Sequence, residues 1–234
     1  MESAYRDRPS AVAAALAWIQ DWLLEPLPER AGGASLELPP RPVVAVVGLR
    51  PGCGASTVAR ALAARLAASD PCGCAIVAGS LVRAPLAPAA RSTGRLRLAL
   101  RTAGRGAVAL GRLCLAEPLE LPALVELARG QAPLLLDAGR GEPAREAAEL
   151  ADLTLVVAPA DAEPALAELL AGSLGRAAVV VNQAREPGRW VGRAAALLPG
   201  SRLGARLSAA GWEAPGALGR DIAGLARVCE AACA

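Results

Sequence analysis

The sequence predicts a doubly wound α/β domain with a mostly parallel sheet and a helical extension at the N-terminus. Three observations carry this. From Val43 onward, short apolar runs without polar alternation take turns with helix-like stretches, the pattern of strands covered on both faces. The first run, Val43–Val47, ends in a glycine-bearing turn that opens directly into a helix-like segment. The 234 residues are 54% apolar but include no Phe and one Tyr, so the core is built of small aliphatic groups suited to close packing of helices on a sheet.

Taken in order, Ser10 to Leu24 predicts a helix with Ser10 as N-cap. Val12, Leu16, Ile19 and Leu23 form one apolar stripe, and Trp18 and Trp22 widen it. No Arg or Lys lies inside this segment and Asp21 does, so it is expected to pack on the main domain or a second subunit rather than on a lipid surface. The expected organisation is an N-terminal helix over 1–25, a Pro/Gly-rich linker over 26–42 and the α/β domain over 43–234. Strands are expected at Val43–Val47, Ala75–Ala78, Ala107–Leu115, Pro133–Leu136, Thr154–Ala158 and Ala177–Val181. Helices are expected at Ser56–Ala68, Arg91–Thr102, Leu121–Arg129, Pro143–Leu150, Glu163–Leu170, Trp190–Leu197 and Ala217–Ala232, the last with Ile222, Leu225 and Cys229 on one side.

All 25 basic residues are Arg, and there is no His. A skew this uniform reflects base composition more than function, so arginine by itself is weak evidence for phosphate. The net charge of +3 is spread along the chain. Arg91–Arg105 is the densest basic stretch, but no aromatics are interleaved for base stacking. A solvated helix face is expected there, with DNA or anionic-lipid contact as the alternative. The six cysteines have no metal-site spacing, and Cys72-Gly73-Cys74 separates two sulfurs by one residue. The first residues do not read as a signal peptide, and no apolar run reaches the ~18–20 residues of a membrane span. The expected location is cytoplasmic, with peripheral contact at the inner membrane face as a further option.

Four segments carry chemistry. The first is Arg50-Pro51-Gly52-Cys53-Gly54-Ala55-Ser56-Thr57, the outline of a phosphate-binding loop at a helix N-terminus. The position before the two hydroxyl residues, where such loops place a lysine, holds Ala55, and the chain contains no lysine at all. The second is Leu134-Leu135-Leu136-Asp137-Ala138-Gly139, an apolar strand ending in a carboxylate and a glycine. The third is Ala151-Asp152-Leu153-Thr154-Leu155-Val156-Val157-Ala158-Pro159, and the fourth Val179-Val180-Val181-Asn182-Gln183.

In this order the four segments resemble the MinD/ParA family, the deviant Walker A, SIMIBI-class P-loop ATPases. The resemblance runs from about Val43 to the C-terminus. It implies ATP or ADP with Mg²⁺ as ligands, cradled by Gly52, Cys53, Gly54, Ala55, Ser56 and Thr57, with Asn182 at the adenine. It also implies Ser56 and Asp137 at the Mg²⁺, and Arg50 in the place of the signature lysine that reaches across a dimer. Arg50 and Asp137 are thereby the candidate catalytic residues. Pro51 replaces a glycine of the motif and removes one N–H. The second strand, Ala75-Ile76-Val77-Ala78, lacks the aspartate with which the family ends it.

Without the loop lysine and that aspartate, little phosphoryl transfer is expected, because electrostatic stabilisation dominates the barrier. The resemblance implies a degenerate, pseudo-ATPase-like protein, a homodimer or a heterodimer with an active paralogue, serving as a regulatory or scaffolding partner in positioning, partitioning or pilus/secretion assembly. The alternatives are a slow ATPase using Arg50, or a weak DNA or lipid binder through Arg91–Arg105. In the plainest alternative, Gly52 and Gly54 only make a tight turn, Asp137 caps a helix and Asn182 ends a strand.

Overall fold

Alternation along each strand sends side chains into two separate aliphatic layers, one on each face of a central sheet. The computed structural model describes residues 41–70, 73–78, 121–130, 132–186, 188–209 and 212–232. The expected N-terminal helix, nearly all of the linker, the strand Ala107–Leu115 and the basic helix Arg91–Thr102 lie outside the described residues.

The elements are β1 (Val43–Gly48), α1 (Ala55–Ser69), β2 (Ala75–Ala78), α2 (Leu121–Arg129), β3 (Leu134–Gly139), α3 (Glu142–Leu150), β4 (Leu153–Pro159), α4 (Pro164–Ser173), β5 (Ala177–Asn182), β6 (Ala196–Leu198), α5 (Arg202–Ala209) and α6 (Gly216–Ala231). The six strands form one sheet in the order β2-β3-β1-β4-β5-β6, and every pairing is parallel. β1 lies between β3 and β4, where the chain order changes direction, so its carboxyl end opens at the crevice that parallel α/β sheets use for ligands.

Val44 and Val46 join Leu135, Leu155 and Val157 under α1 and α6 on one face. Val43, Ala45 and Val47 join Leu134 and Leu136 under α2 and α3 on the other. Period-two alternation inside uniformly apolar runs produces this division. The helix α1 buries Ala59, Ala61, Ala63 and Ala64 together with Leu62 and Leu66. Its alanines let the helix lie close to the sheet, which keeps the preceding loop over the strand ends. At the opposite end of the sheet, the Asp152 carboxylate accepts the Val43 amide at 2.8 Å and pairs with Arg129, pinning the start of β1.

One expected element is corrected. Trp190–Leu197 is not a helix. Gly188–Trp190 forms a single 3-10 turn, Gly192 takes φ +71°, and Ala196–Leu198 pairs with Val180–Asn182 as the edge strand β6. The run of alanines favours helix locally, but the open edge of β5 supplies backbone partners that outweigh that propensity. Trp190 is buried and donates its indole N–H to the Ala160 carbonyl at 3.0 Å, fixing the turn. The helix α5, absent from the expectation, follows directly.

Candidate functional site

The segment from Arg50 to Gly54 turns the chain from β1 into α1. Gly52 and Gly54 have φ of +72° and +88°, the left-handed region that side chains disfavour. Gly54 is also sterically required, since a Cβ there would lie 2.1 Å from Asn182 Nδ2. The reason is a buried clamp in which Asn182, at the end of β5, donates that amide to the Cys53 carbonyl at 2.9 Å. The Leu49 amide donates to Val157 of β4 at 2.9 Å, and the Cys53 amide to Arg50 at 3.3 Å. Among the described residues, the amides of Gly54, Ala55, Ser56 and Thr57 have no acceptor, and Gly54 at the N-cap supplies no side-chain cap.

Asp137 stands on β3 in register with Val46 and Ala78, 5% exposed, and accepts a hydrogen bond from the Ser56 hydroxyl. Burial pushes its carboxyl above the ordinary value, opposed by that hydrogen bond and by the positive charge of Arg60, one helical turn beyond Ser56. An acid whose pKa is raised on folding binds protons more tightly in the native state. The native state therefore loses stability as pH rises from the ordinary carboxylate range through the raised value. Asp137→Asn is expected to melt at a higher temperature than the parent at pH 7, with the difference vanishing as pH falls below about 4. Thermal melts across that range check it, and a difference independent of pH would exclude this cause. The hydroxyl and carboxylate are hard oxygen donors of the kind Mg²⁺ prefers, so the pair fits the ion the sequence implies.

Arg50 sits at the outer edge of the turn. One guanidinium nitrogen lies 2.5 and 2.6 Å from the two oxygens of Asp161, on the loop after β4. That contact holds the Asp161 carboxyl below its ordinary value. Arg189 donates to the Asp161 carbonyl at 3.1 Å, so the same loop is held from two sides. Both Arg50 and Asp161 face solvent, where ion pairs contribute little. Asp161→Ala is expected to leave the melting temperature unchanged, whereas a drop of several degrees would mean the pair shapes the loop.

The structure thus brings Gly52 to Thr57, Asp137 and Asn182 together and sets Arg50 apart on Asp161. Sequence reasoning missed Asp161 and Arg60. Nothing local links positions 50 and 161, but Arg60 was legible as the residue four beyond Ser56, on the same helix face.

Beside the clamp, between α1, the end of β5, the β6–α5 turn and α6, lies a cavity of about 580 Å³. Its lining includes the apolar Val58, Leu198, Pro199 and Ile222 and the polar Arg185 and Arg202.

No protein-family model matches the chain, and no curated protein sequence matches it. Solved structures do. The ParA family ATPase from Chlorobium tepidum TLS superposes with a TM-score of 0.51 at 15% identity, covering 80% of this chain and 98% of that one. The septum site-determining protein MinD of Pyrococcus horikoshii OT3, complexed with Mg-ADP, gives 0.53 at 12% identity over 80% and 95%. The MinD cell division protein of Aquifex aeolicus gives 0.52 at 14% identity over 81% and 97%. The described residues have the MinD/ParA-like, P-loop NTPase fold.

Proposed function

We propose that this protein binds ATP or ADP with Mg²⁺ in the loop after β1 and does not turn it over. The supporting observation is the loop itself: four successive amides at the start of α1 without acceptors, held in place by the Asn182 clamp. Converging N–H groups at a helix N-terminus suit a phosphate group. Gly54, Ala55, Ser56 and Thr57 would donate to the phosphates, and Ser56 and Asp137 would hold the Mg²⁺, which supplies charge neutralisation of the phosphate oxygens when bound. Asn182 keeps its Oδ1 for the base while its Nδ2 is spent on Cys53. The Mg-ADP complex of the Pyrococcus protein of like fold supports the choice of ligand. Ala55 brings no charge to the phosphates, and β2 ends at Ala78 without a carboxylate, so binding is expected without hydrolysis.

Such a protein acts by docking, and we place it as a regulatory or scaffolding partner, dimeric or paired with an active paralogue. The described surface supports this through α4, where Leu166 and Leu169 are 57% and 74% exposed one turn apart. The Aquifex aeolicus MinC:MinD complex is a like-fold example of partner docking. Sedimentation of the protein with and without ATP checks the proposal, and Leu166→Glu/Leu169→Glu is expected to shift any dimer to monomer. Among the described residues no helix is long and apolar enough to cross a membrane.

Calorimetric titration with ATP and ADP, with and without Mg²⁺, tests the ligand. Micromolar binding with no phosphate release is the expected result. No binding up to millimolar nucleotide overturns the proposal. Magnesium-dependent release abolished by Arg50→Ala would instead establish turnover through Arg50.

A further inference from the structure

The cavity beside the loop differs from its surroundings in charge. Among the described residues that line it there is no carboxylate, yet there are two guanidinium groups, Arg185 after β5 and Arg202 at the start of α5. Neither has a hydrogen-bond or ion-pair partner among the described residues, whereas Arg41, Arg50, Arg65, Arg129, Arg189 and Arg193 are all paired with carboxylates. The two guanidiniums stand out because they share one cavity whose described lining holds no carboxylate.

The cavity is the right size for part of a small molecule, about 580 Å³. Its chemistry is graded. Thr57 and Asn182 belong to the phosphate loop's helix and its clamp, Val58, Leu198, Pro199 and Ile222 supply apolar lining, and the two arginines stand where β5 and β6 run out. An aromatic ring suits the apolar part of the lining. The fork of a guanidinium suits a phosphate oxygen pair, and among the described lining residues no carboxylate opposes a second negative charge.

We propose that this cavity takes a nucleotide bearing a second anionic group away from its 5′-phosphates, bound by Arg185 and Arg202. The inference rests on the nucleotide-binding function proposed above and adds the substrate class: a ribose-phosphorylated nucleotide or a phosphodiester-linked dinucleotide, which share a phosphate at the 3′ oxygen. Both arginines are exposed, so the attraction weakens with salt but keeps its position in the cavity.

The test is calorimetric titration of the full chain at fixed ionic strength with AMP, adenosine 3′,5′-bisphosphate and the dinucleotide pApA. Three proteins are compared: the parent, Arg185→Gln/Arg202→Gln, and Arg220→Gln/Arg227→Gln. The last pair removes the same charge from α6 at positions outside the cavity lining. The expected result is about tenfold or more tighter binding of the bisphosphate than of AMP. That preference is expected to disappear in Arg185→Gln/Arg202→Gln, with AMP affinity unchanged, and to persist in Arg220→Gln/Arg227→Gln.

Tight pApA binding in the parent identifies the internucleotide phosphate as the group recognised, and bisphosphate preference alone identifies the terminal one. Equal binding of AMP and bisphosphate overturns the inference while leaving nucleotide binding intact. A preference lost equally in both double variants overturns it as general electrostatics. No binding of any of the three compounds by a chain that binds ATP or ADP in the titration above overturns this inference alone, and no binding of ATP or ADP either overturns the nucleotide proposal with it.

Discussion

Gly54→Ala is expected to destabilise the domain by about 2–6 kcal/mol and to abolish nucleotide binding. Two costs add. The backbone stands at φ +88°, where a non-glycine residue costs about 1–3 kcal/mol. The new Cβ would also lie 2.1 Å from Asn182 Nδ2, closer than any real contact, so the amide must move off the Cys53 carbonyl. A buried polar group left without its partner costs about 1–3 kcal/mol. Urea denaturation measures the sum. The contributions separate in a cycle with Asn182→Ala, which removes the obstructing amide. In that background Gly54→Ala should cost only the backbone strain, giving a coupling of about 1–3 kcal/mol between two positions far apart in sequence. Strict additivity would mean that the loop relaxes independently of β5 and that Asn182 does not hold it. Stability and binding must fall together in Gly54→Ala, because one backbone conformation produces both.

That coupling also marks what was legible in the chain. The apolar runs at 43–47, 75–78, 154–158 and 177–181 and the described helices between them were readable, since a strand buried on both faces leaves nothing polar to confuse it. The edge of the sheet was not. Ala194 to Leu198 has the composition of a helix, and only the unpaired backbone of β5, brought there by folding, selects strand. Edge pairing is a tertiary event with no local signature in three residues. The same limit applies to Trp190, whose burial follows from the Ala160 carbonyl reaching it across 30 residues.

Within the site, Gly52, Gly54, Ser56, Asp137 and Asn182 could be picked out because residue types with special conformational or ligating properties recur at motif spacing. What the sequence did not convey was which atoms they use. Asn182 turns its Nδ2 to the loop carbonyl rather than leaving the whole amide to a base, and Arg50 turns outward to Asp161. Both follow from which loops lie side by side at the carboxyl ends of β1, β4 and β5, the strand order that chain position alone does not give. The two arginines of the cavity were invisible for a different reason. In a chain whose basic residues are all Arg, no single Arg stands out until its neighbours, or the lack of them, are known.

Ala55→Lys is expected to raise ATP affinity by about 10–150-fold, the range of a hydrogen bond of about 1.5–3 kcal/mol to a charged partner. Ala55 is the first residue of α1 with a helical backbone, so the substitution needs no unusual φ. Its present side chain is nearly buried, at 9% exposure, so the lysine stem must extend along the turn toward the unsatisfied amides. Without nucleotide, a cation at a helix N-terminus is unfavourable by about 0.3–1 kcal/mol, and the variant should melt slightly lower than the parent. With saturating ATP the order should reverse, since a ligand that binds only the native state stabilises it in proportion to the logarithm of its excess over Kd. Phosphate release should stay at background, because a lysine restores charge but not the carboxylate missing from the end of β2. Turnover appearing with the single substitution would show instead that Asp137 suffices to position water, and that Ala55 alone separates this chain from an active enzyme. Unchanged affinity would be more damaging: the four amides would then not face phosphate at all, and the loop would be a turn kept for the packing of α1.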